Sequence, residues 1–171
     1  MANLKNKKIK QKEELKTILD RLKKAGKRVV FTNGCFDLLH IGHTRYLEEA
    51  RKLGDILVVA VNSDLSVKTI KGDQRPIIPE QERAEVLAAL HCVDFVVIFS
   101  EPDPYNLISL LKPYVLVKGG DWNKNHIIGR DVVESDGGQV VTISEIKGAS
   151  TSDIIGRIIQ KTGNAFTNKK G

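Results

Sequence analysis

Long apolar runs are missing from this 171-residue sequence. No stretch reaches the roughly eighteen hydrophobic residues that a bilayer-spanning helix requires. Cysteine is scarce as well. Cys35 and Cys92 are the only two, far apart and in apolar stretches, so neither a disulfide framework nor a C-x-x-C thiolate pair is encoded. Both read as structural thiols, with Cys35 kept in view because of its neighbours. The opening residues MANLKNKKIKQKEELK carry charge but no apolar core, which excludes a secretory signal of the usual kind, and a cytoplasmic address is expected. Absent too is a G-x-G-x-x-G run after the first predicted strand, which sets aside a dinucleotide-dependent dehydrogenase.

Acidic residues are lacking at both ends. Lys5, Lys7, Lys8, Lys10 and Lys12 precede the first acid, and Lys161, Lys169 and Lys170 follow the last. Setting those eight lysines aside turns the formal net charge of +6 into −2. The body therefore offers no overall basic field for a nucleic-acid backbone, and the ends read as solvated tails. Residues 1–9 are expected to form a basic flexible tail, 10–160 a single domain and 161–171 a second tail.

Five short β-branched runs are present: Arg28–Asn33, Ile56–Asn62, Val93–Phe99, Tyr114–Lys118 and Gln139–Ile143. Their near-continuous hydrophobicity suits strands buried on both faces. Helical patterns precede or separate them at Lys10–Ala25, His43–Leu53, Glu80–Leu90, Asp103–Leu111 and Ser150–Ile159. Gly26 and Gly54 end two of these, and Pro79 and Pro113 bound two others. The alternation predicts an α/β, doubly wound, five-stranded parallel sheet in one domain, with ligands outside the carboxyl ends of the strands.

Four segments carry chemistry. The first, Thr32-Asn-Gly-Cys-Phe-Asp-Leu-Leu-His40-Ile-Gly-His43, leaves the first strand and enters a helix. Gly34 frees the backbone at the turn, and His40 and His43 arrive where unpaired helix N–H groups attract anions. Gly42 lets a phosphate approach the backbone. Zinc-binding histidine pairs on helices are spaced four apart with a third ligand nearby. Here the spacing is three, and His91 and His126 lie in unrelated segments, so no metal ligand set is expected. The second segment, Lys71-Gly72 with Arg75 close behind, reads as a loop whose lysine can swing over phosphates. The third, Lys118-Gly-Gly-Asp121-Trp122, ends the fourth strand, where Gly119 allows close approach and Asp121 can accept hydrogen bonds. The fourth, Lys147-Gly148-Ala-Ser150-Thr151-Ser-Asp153, opens the last helix, where serine or threonine is at the least a cap.

The first segment resembles the signature of the H-x-G-H nucleotidyltransferase superfamily, which includes cytidylyltransferases and pantetheine-phosphate adenylyltransferases. Val61–Lys68, Lys71–Ile77, Arg83–Leu90 and Val115–Trp122 resemble more narrowly the adenylyltransferases of ADP-heptose synthesis. That resemblance implies transfer of AMP from ATP to D-glycero-β-D-manno-heptose 1-phosphate, a lipopolysaccharide inner-core precursor step. It assigns His40, His43 and Lys71 to catalysis. Gly34, Cys35, Phe36, Gly42, Gly119, Asp121, Gly148, Ser150 and Thr151 are assigned to the nucleotide, and Asp37 and Arg75 to the acceptor. It implies Mg²⁺ bound mainly through substrate phosphates, no nucleic-acid or membrane partner, a possible homodimer, and a separate sugar kinase, since relatives are often fused to one. Glu145 stands where cytidylyltransferases often carry arginine, which weighs against a cytidylyltransferase acting on a polyol or amino-alcohol phosphate such as glycerol 3-phosphate. Two further readings stay open on residues alone. A non-catalytic nucleotide-binding module would not need two helix-start histidines, and a class I synthetase fragment lacks the second lysine of its loop.

Overall fold

A computed structural model describes residues 7–120, 126–144, 146 and 148–162. The chain runs α1 (Lys12–Lys24), β1 (Val29–Gly34), α2 (Ile41–Arg51), β2 (Ile56–Asn62), α3 (Asp64–Lys71), α4 (Glu80–Ala89), β3 (Phe95–Phe99), α5 (Tyr105–Leu111), β4 (Val115–Gly119), α6 (Arg130–Ser135), β5 (Gln139–Ile143) and α7 (Thr151–Thr162). The five strands form one sheet of order β3-β2-β1-β4-β5, parallel at every pairing. Two cores flank it. Phe31, Ala60 and Leu116 point towards α1, α5 and α6. Val30, Val59, Val115 and Val117 point towards α2 and α4. Because both faces are covered, the strands show the unbroken apolar runs that a parallel sheet needs.

The five expected strands are all present, β2 and β5 with the expected ends and the other three with ends moved by one or two residues. Two helices go beyond the expectation. Lys71 closes α3, an eight-residue helix, where a loop is expected from the sequence. Ser63 caps α3 by accepting from the Ser66 N–H, and Gly72, at φ 92°, ends it. The second is α6, six residues between β4 and β5.

Structure also reaches into the expected N-terminal tail. Ile9 forms a parallel bridge with Val96. The Val96 N–H donates to the Lys8 carbonyl, and the Lys10 N–H to the Val96 carbonyl. The Lys8 ammonium donates to the carbonyls of Leu90 and Val93.

The strand order reverses between β1 and β4. Their carboxyl ends therefore diverge to helices on opposite faces, opening the crevice in which such sheets bind ligands.

Candidate active site

A cleft of about 890 Å³ opens at this strand edge. It gathers twelve of the predicted site residues: Gly34, Cys35, Phe36, Asp37, His40, Gly42, His43, Lys71, Arg75, Gly119, Ser150 and Thr151. Gly148 does not line it; at φ 74° it makes the turn leading to α7. Asp121 lies outside the described residues, as do Glu145 and Lys147.

The start of α2 supplies the centre of the cleft. His40 is the N-cap, and its Nδ1 accepts from the Gly42 N–H at 3.1 Å. That bond fixes the neutral tautomer, with the proton on Nε2, ready to donate outward. His43 stacks on His40 with ring centroids 3.8 Å apart and meets the Phe36 ring edge-on. Burial, and then the neighbouring His40, push its pKa down to about 4. Among the described residues its buried Nδ1 has no hydrogen-bond partner. Burial also lowers the pKa of His40. Both rings are thus neutral donors near pH 7.

The glycines act through contacts that spacing alone does not reveal. A Cβ on Gly42 would lie 2.9 Å from both the Ala149 carbonyl oxygen and the His40 ring. Its bareness lets the lead-in to α7 pack against the start of α2, so two helix N-termini converge in one cleft. Gly34 ends β1 with no left-handed φ. The reason for glycine there is the Phe36 ring, whose edge would lie 3.1 Å from a Cβ at this position, and not the freer turn expected from sequence. Beside Gly119 lies the Tyr46 ring. The Tyr46 hydroxyl is hydrogen-bonded to Thr32 at 2.6 Å, and burial pushes its pKa up to about 12.

Asp37 is buried, and its carboxylate is fully engaged. Arg75 Nε donates to Oδ2 at 2.6 Å, the Ile77 N–H to Oδ2 at 2.8 Å, and the Ile78 N–H to Oδ1 at 2.9 Å. Burial raises its pKa, but the three donors outweigh that and hold the carboxyl below its usual range. Cys35 behaves oppositely. Burial pushes its thiol up despite Lys71, Arg83 and Arg75 nearby, so it stays protonated and is no nucleophile.

At the start of α7 the hydroxyls turn away from the role expected for them. Ser150 Oγ accepts from the Asp153 N–H at 3.1 Å, a helix cap, and donates to Asp153 Oδ2 at 2.7 Å. The Thr151 hydroxyl donates to the Asp37 carbonyl at 2.5 Å. Both hydroxyl protons are therefore committed inside the protein. What α7 presents to an anion is its first backbone N–H groups, which have no carbonyl one turn earlier.

Arg83, which sequence reasoning does not single out as a site residue, ties this floor together. Although buried, it donates to the carbonyls of Ile78, Cys35 and Asn62 and pairs with Asp64 at 2.8 Å. The available signal is a charged residue on the same face of α4 as Leu87. Among the described residues no group of three histidine, cysteine or acidic side chains could hold a metal ion. The donor set of imidazole, ammonium and helix N–H suits phosphate oxygens.

A reversed parallel sheet with neutral paired histidines between two helix N-termini defines an enzyme of nucleotidyltransferase type. Residues 31–157 match the cytidylyltransferase-like family, and the chain belongs to that family. It is 53% identical over 154 residues to the bifunctional protein HldE of Pelobacter propionicus, covering 90% of this chain and 32% of that protein. To the protein of the same name from Geotalea uraniireducens it is 55% identical over 157 residues, covering 92% and 32%. The chain thus spans about a third of the length of these relatives. Among solved structures, a lipopolysaccharide core biosynthesis protein from Thermoplasma volcanium shares 30% identity at a TM-score of 0.58, covering 71% of this chain and 98% of that one. The pantoate-beta-alanine ligase of Francisella tularensis, at 17% identity and a TM-score of 0.60 over 90% of this chain and 76% of that one, shares the fold.

Proposed function

We propose that this chain transfers AMP from ATP to D-glycero-β-D-manno-heptose 1-phosphate, giving ADP-heptose and pyrophosphate. The observation that carries this reading is the convergence of the α2 and α7 starts around His40 and His43. Similarity to the HldE proteins supports the choice of substrates.

An oxygen of the sugar phosphate attacks the α-phosphorus of ATP; the new P–O bond forms as the bond to pyrophosphate breaks. The residues supply position and charge neutralisation, and no covalent step on the protein is needed. His40 donates through Nε2 to phosphate oxygens, beside the first N–H groups of α2 and α7. Lys71, at the end of α3, closes over the phosphates from the opposite side. Arg75, held by Asp37 through Nε, keeps its remaining N–H groups for the acceptor phosphate. Each charge-assisted hydrogen bond contributes roughly 1.5–3 kcal/mol, so a few that strengthen at the transition state supply several powers of ten in rate.

Gly34, Cys35, Phe36 and Gly119 shape the nucleotide side of the cleft, with Asp121 and Gly148 completing the proposed set. Mg²⁺ would be carried mainly by the substrate phosphates and would supply charge neutralisation there; the cleft's own donors are cationic and N–H groups that complement the same phosphates. The transferase domain spans residues 10–160, extended at its start by Lys8 and Ile9, and works in the cytoplasm. No helix among the described residues is long and apolar enough to cross a membrane. A sugar kinase would supply the acceptor, and the chain would work as a homodimer.

The test is a screen of ATP and CTP against sugar 1-phosphates and polyol phosphates, following pyrophosphate release with Mg²⁺ present. ATP with the heptose phosphate is expected to turn over fastest. Faster turnover with CTP and glycerol 3-phosphate would replace the substrates and keep the class. No pyrophosphate from any pair would leave a binding module.

A further inference from the structure

At the point where the strand order reverses sits a polar pair that the chemistry above leaves unused. Register sets Val30, Phe31 and Thr32 of β1 against Val115, Leu116 and Val117 of β4, so the next residues, Asn33 and Lys118, stand side by side at the strand ends. Phe31 and Leu116, two positions earlier on each strand, belong to the core under α1, α5 and α6. By strand alternation Asn33 and Lys118 share that face. It is the face opposite α2, which carries the histidines.

The Lys118 ammonium donates to the Asn33 side-chain oxygen. Among the described residues no carboxylate pairs with it, and Asp103 acts only at longer range. Burial pushes its pKa down to about 8. Holding an ammonium against a neutral amide is a poor arrangement for stability, since burial penalises the charge and, among the described residues, no carboxylate contacts it. Its effect on Asn33 is specific, however. With Oδ1 fixed on the ammonium, the amide cannot flip, and Nδ2 is the end left for the cleft, which Asn33 lines. Two N–H donors, backed by a positive charge, then face the ligand.

We infer that Asn33 binds an oxygen of the acceptor's sugar-phosphate group, and that Lys118 is the positioning residue that orients it. The inference rests on the transferase reading above. In that reading the triphosphate occupies the α2 and α7 starts and Arg75 meets the acceptor from the side of Asp37, leaving the other face of the same crevice to a second contact with the acceptor.

The test is steady-state kinetics of three variants, with thermal melting alongside. Asn33→Asp keeps Lys118 satisfied, as an ion pair, but presents oxygens where donors were. It is expected to melt no lower than wild type while raising the KM for the sugar phosphate at least tenfold, with the KM for ATP within about twofold. Lys118→Met frees the amide to turn and is expected to raise the same KM about three- to tenfold, and Lys118→Arg to restore most of it. An unchanged acceptor KM in Asn33→Asp, a rise in the ATP KM instead, or Lys118→Arg no better than Lys118→Met would overturn the inference while the transferase reading stood. A wild-type protein that uses no sugar phosphate would remove both.

Discussion

Two helices aim their first turns into the cleft, and they are anchored by different physics. The α2 helix buries Leu47 and Ala50 completely, and Tyr46 is tied to β1 through Thr32. Along α7 no residue is buried; Ile158 and Ile159 are 51% and 64% exposed. Its start is held by polar ties: the Ser150 cap and the Thr151 bond to the Asp37 carbonyl. One half of the proposed phosphate site is thus part of the hydrophobic core. The other hangs on a few hydrogen bonds and can open at a small fraction of the global unfolding free energy. Preorganised donors are worth most where they need not be assembled during reaction, so α2 should dominate the chemistry and α7 should modulate it.

The comparison can be broken most sharply at His43. His43→Ala is expected to lower kcat by about two to three powers of ten, with a weaker effect on ATP affinity and no change in amide exchange along α7. Stoichiometric zinc in wild type, lost in the variant, would instead make this a metal site.

The next test uses pH. The folded pKa of His43 is about 4 against an ordinary 6.5, so the unfolded chain takes up the proton first. The stability due to the neutral ring is fully present above about pH 6.5 and is lost as pH falls towards 4. The effect is about 3 kcal/mol, with His40 adding in the same direction. Melting curves across this window should fall more steeply for wild type than for His43→Asn; equal slopes would show that the ring is not held neutral by the core.

Thr151→Val keeps the shape and deletes the hydroxyl. A loss of about tenfold in kcat/KM is expected, together with faster exchange confined to the first turn of α7. Unchanged kinetics would mean that the α7 start needs no tie to Asp37. Smallest is Ser150→Ala, which removes the cap and should cost about 1 kcal/mol, read as local loosening of α7 with the global melting point nearly unmoved. A large global shift would contradict the weak coupling of α7 to the core.

The strands are legible because burial on both faces writes a continuous apolar run, and the start of α2 because two histidines flank a glycine after such a run. The short helix α3 is hard to read because the lysine and glycine that matter chemically also look like loop residues, and eight residues give little periodicity. α6 is shorter still. Within the site, what sequence does not convey is the pairing. Thr151 meets Asp37 across 114 positions, Lys118 meets Asn33 across 85 and Arg83 meets Cys35 across 48. Each residue taken singly looks like a ligand contact, a strand end or a surface charge. Only the folded chain shows which polar groups are already satisfied by one another, and therefore which remain for substrate.

The three residues Lys8–Lys10, laid along Val96, have a consequence outside catalysis. β3 is the outermost strand on its side of the sheet, and a bare outer strand templates the addition of further strands, from a second copy or a half-folded neighbour. Here Lys8 and Lys10 take up hydrogen-bonding positions on that strand. The segment is itself pinned, Lys8 by the carbonyls of Leu90 and Val93 and Lys10 by Glu14. A stretch that reads as a solvated tail thereby works against fibrous self-association, keeping a strongly apolar edge from growing.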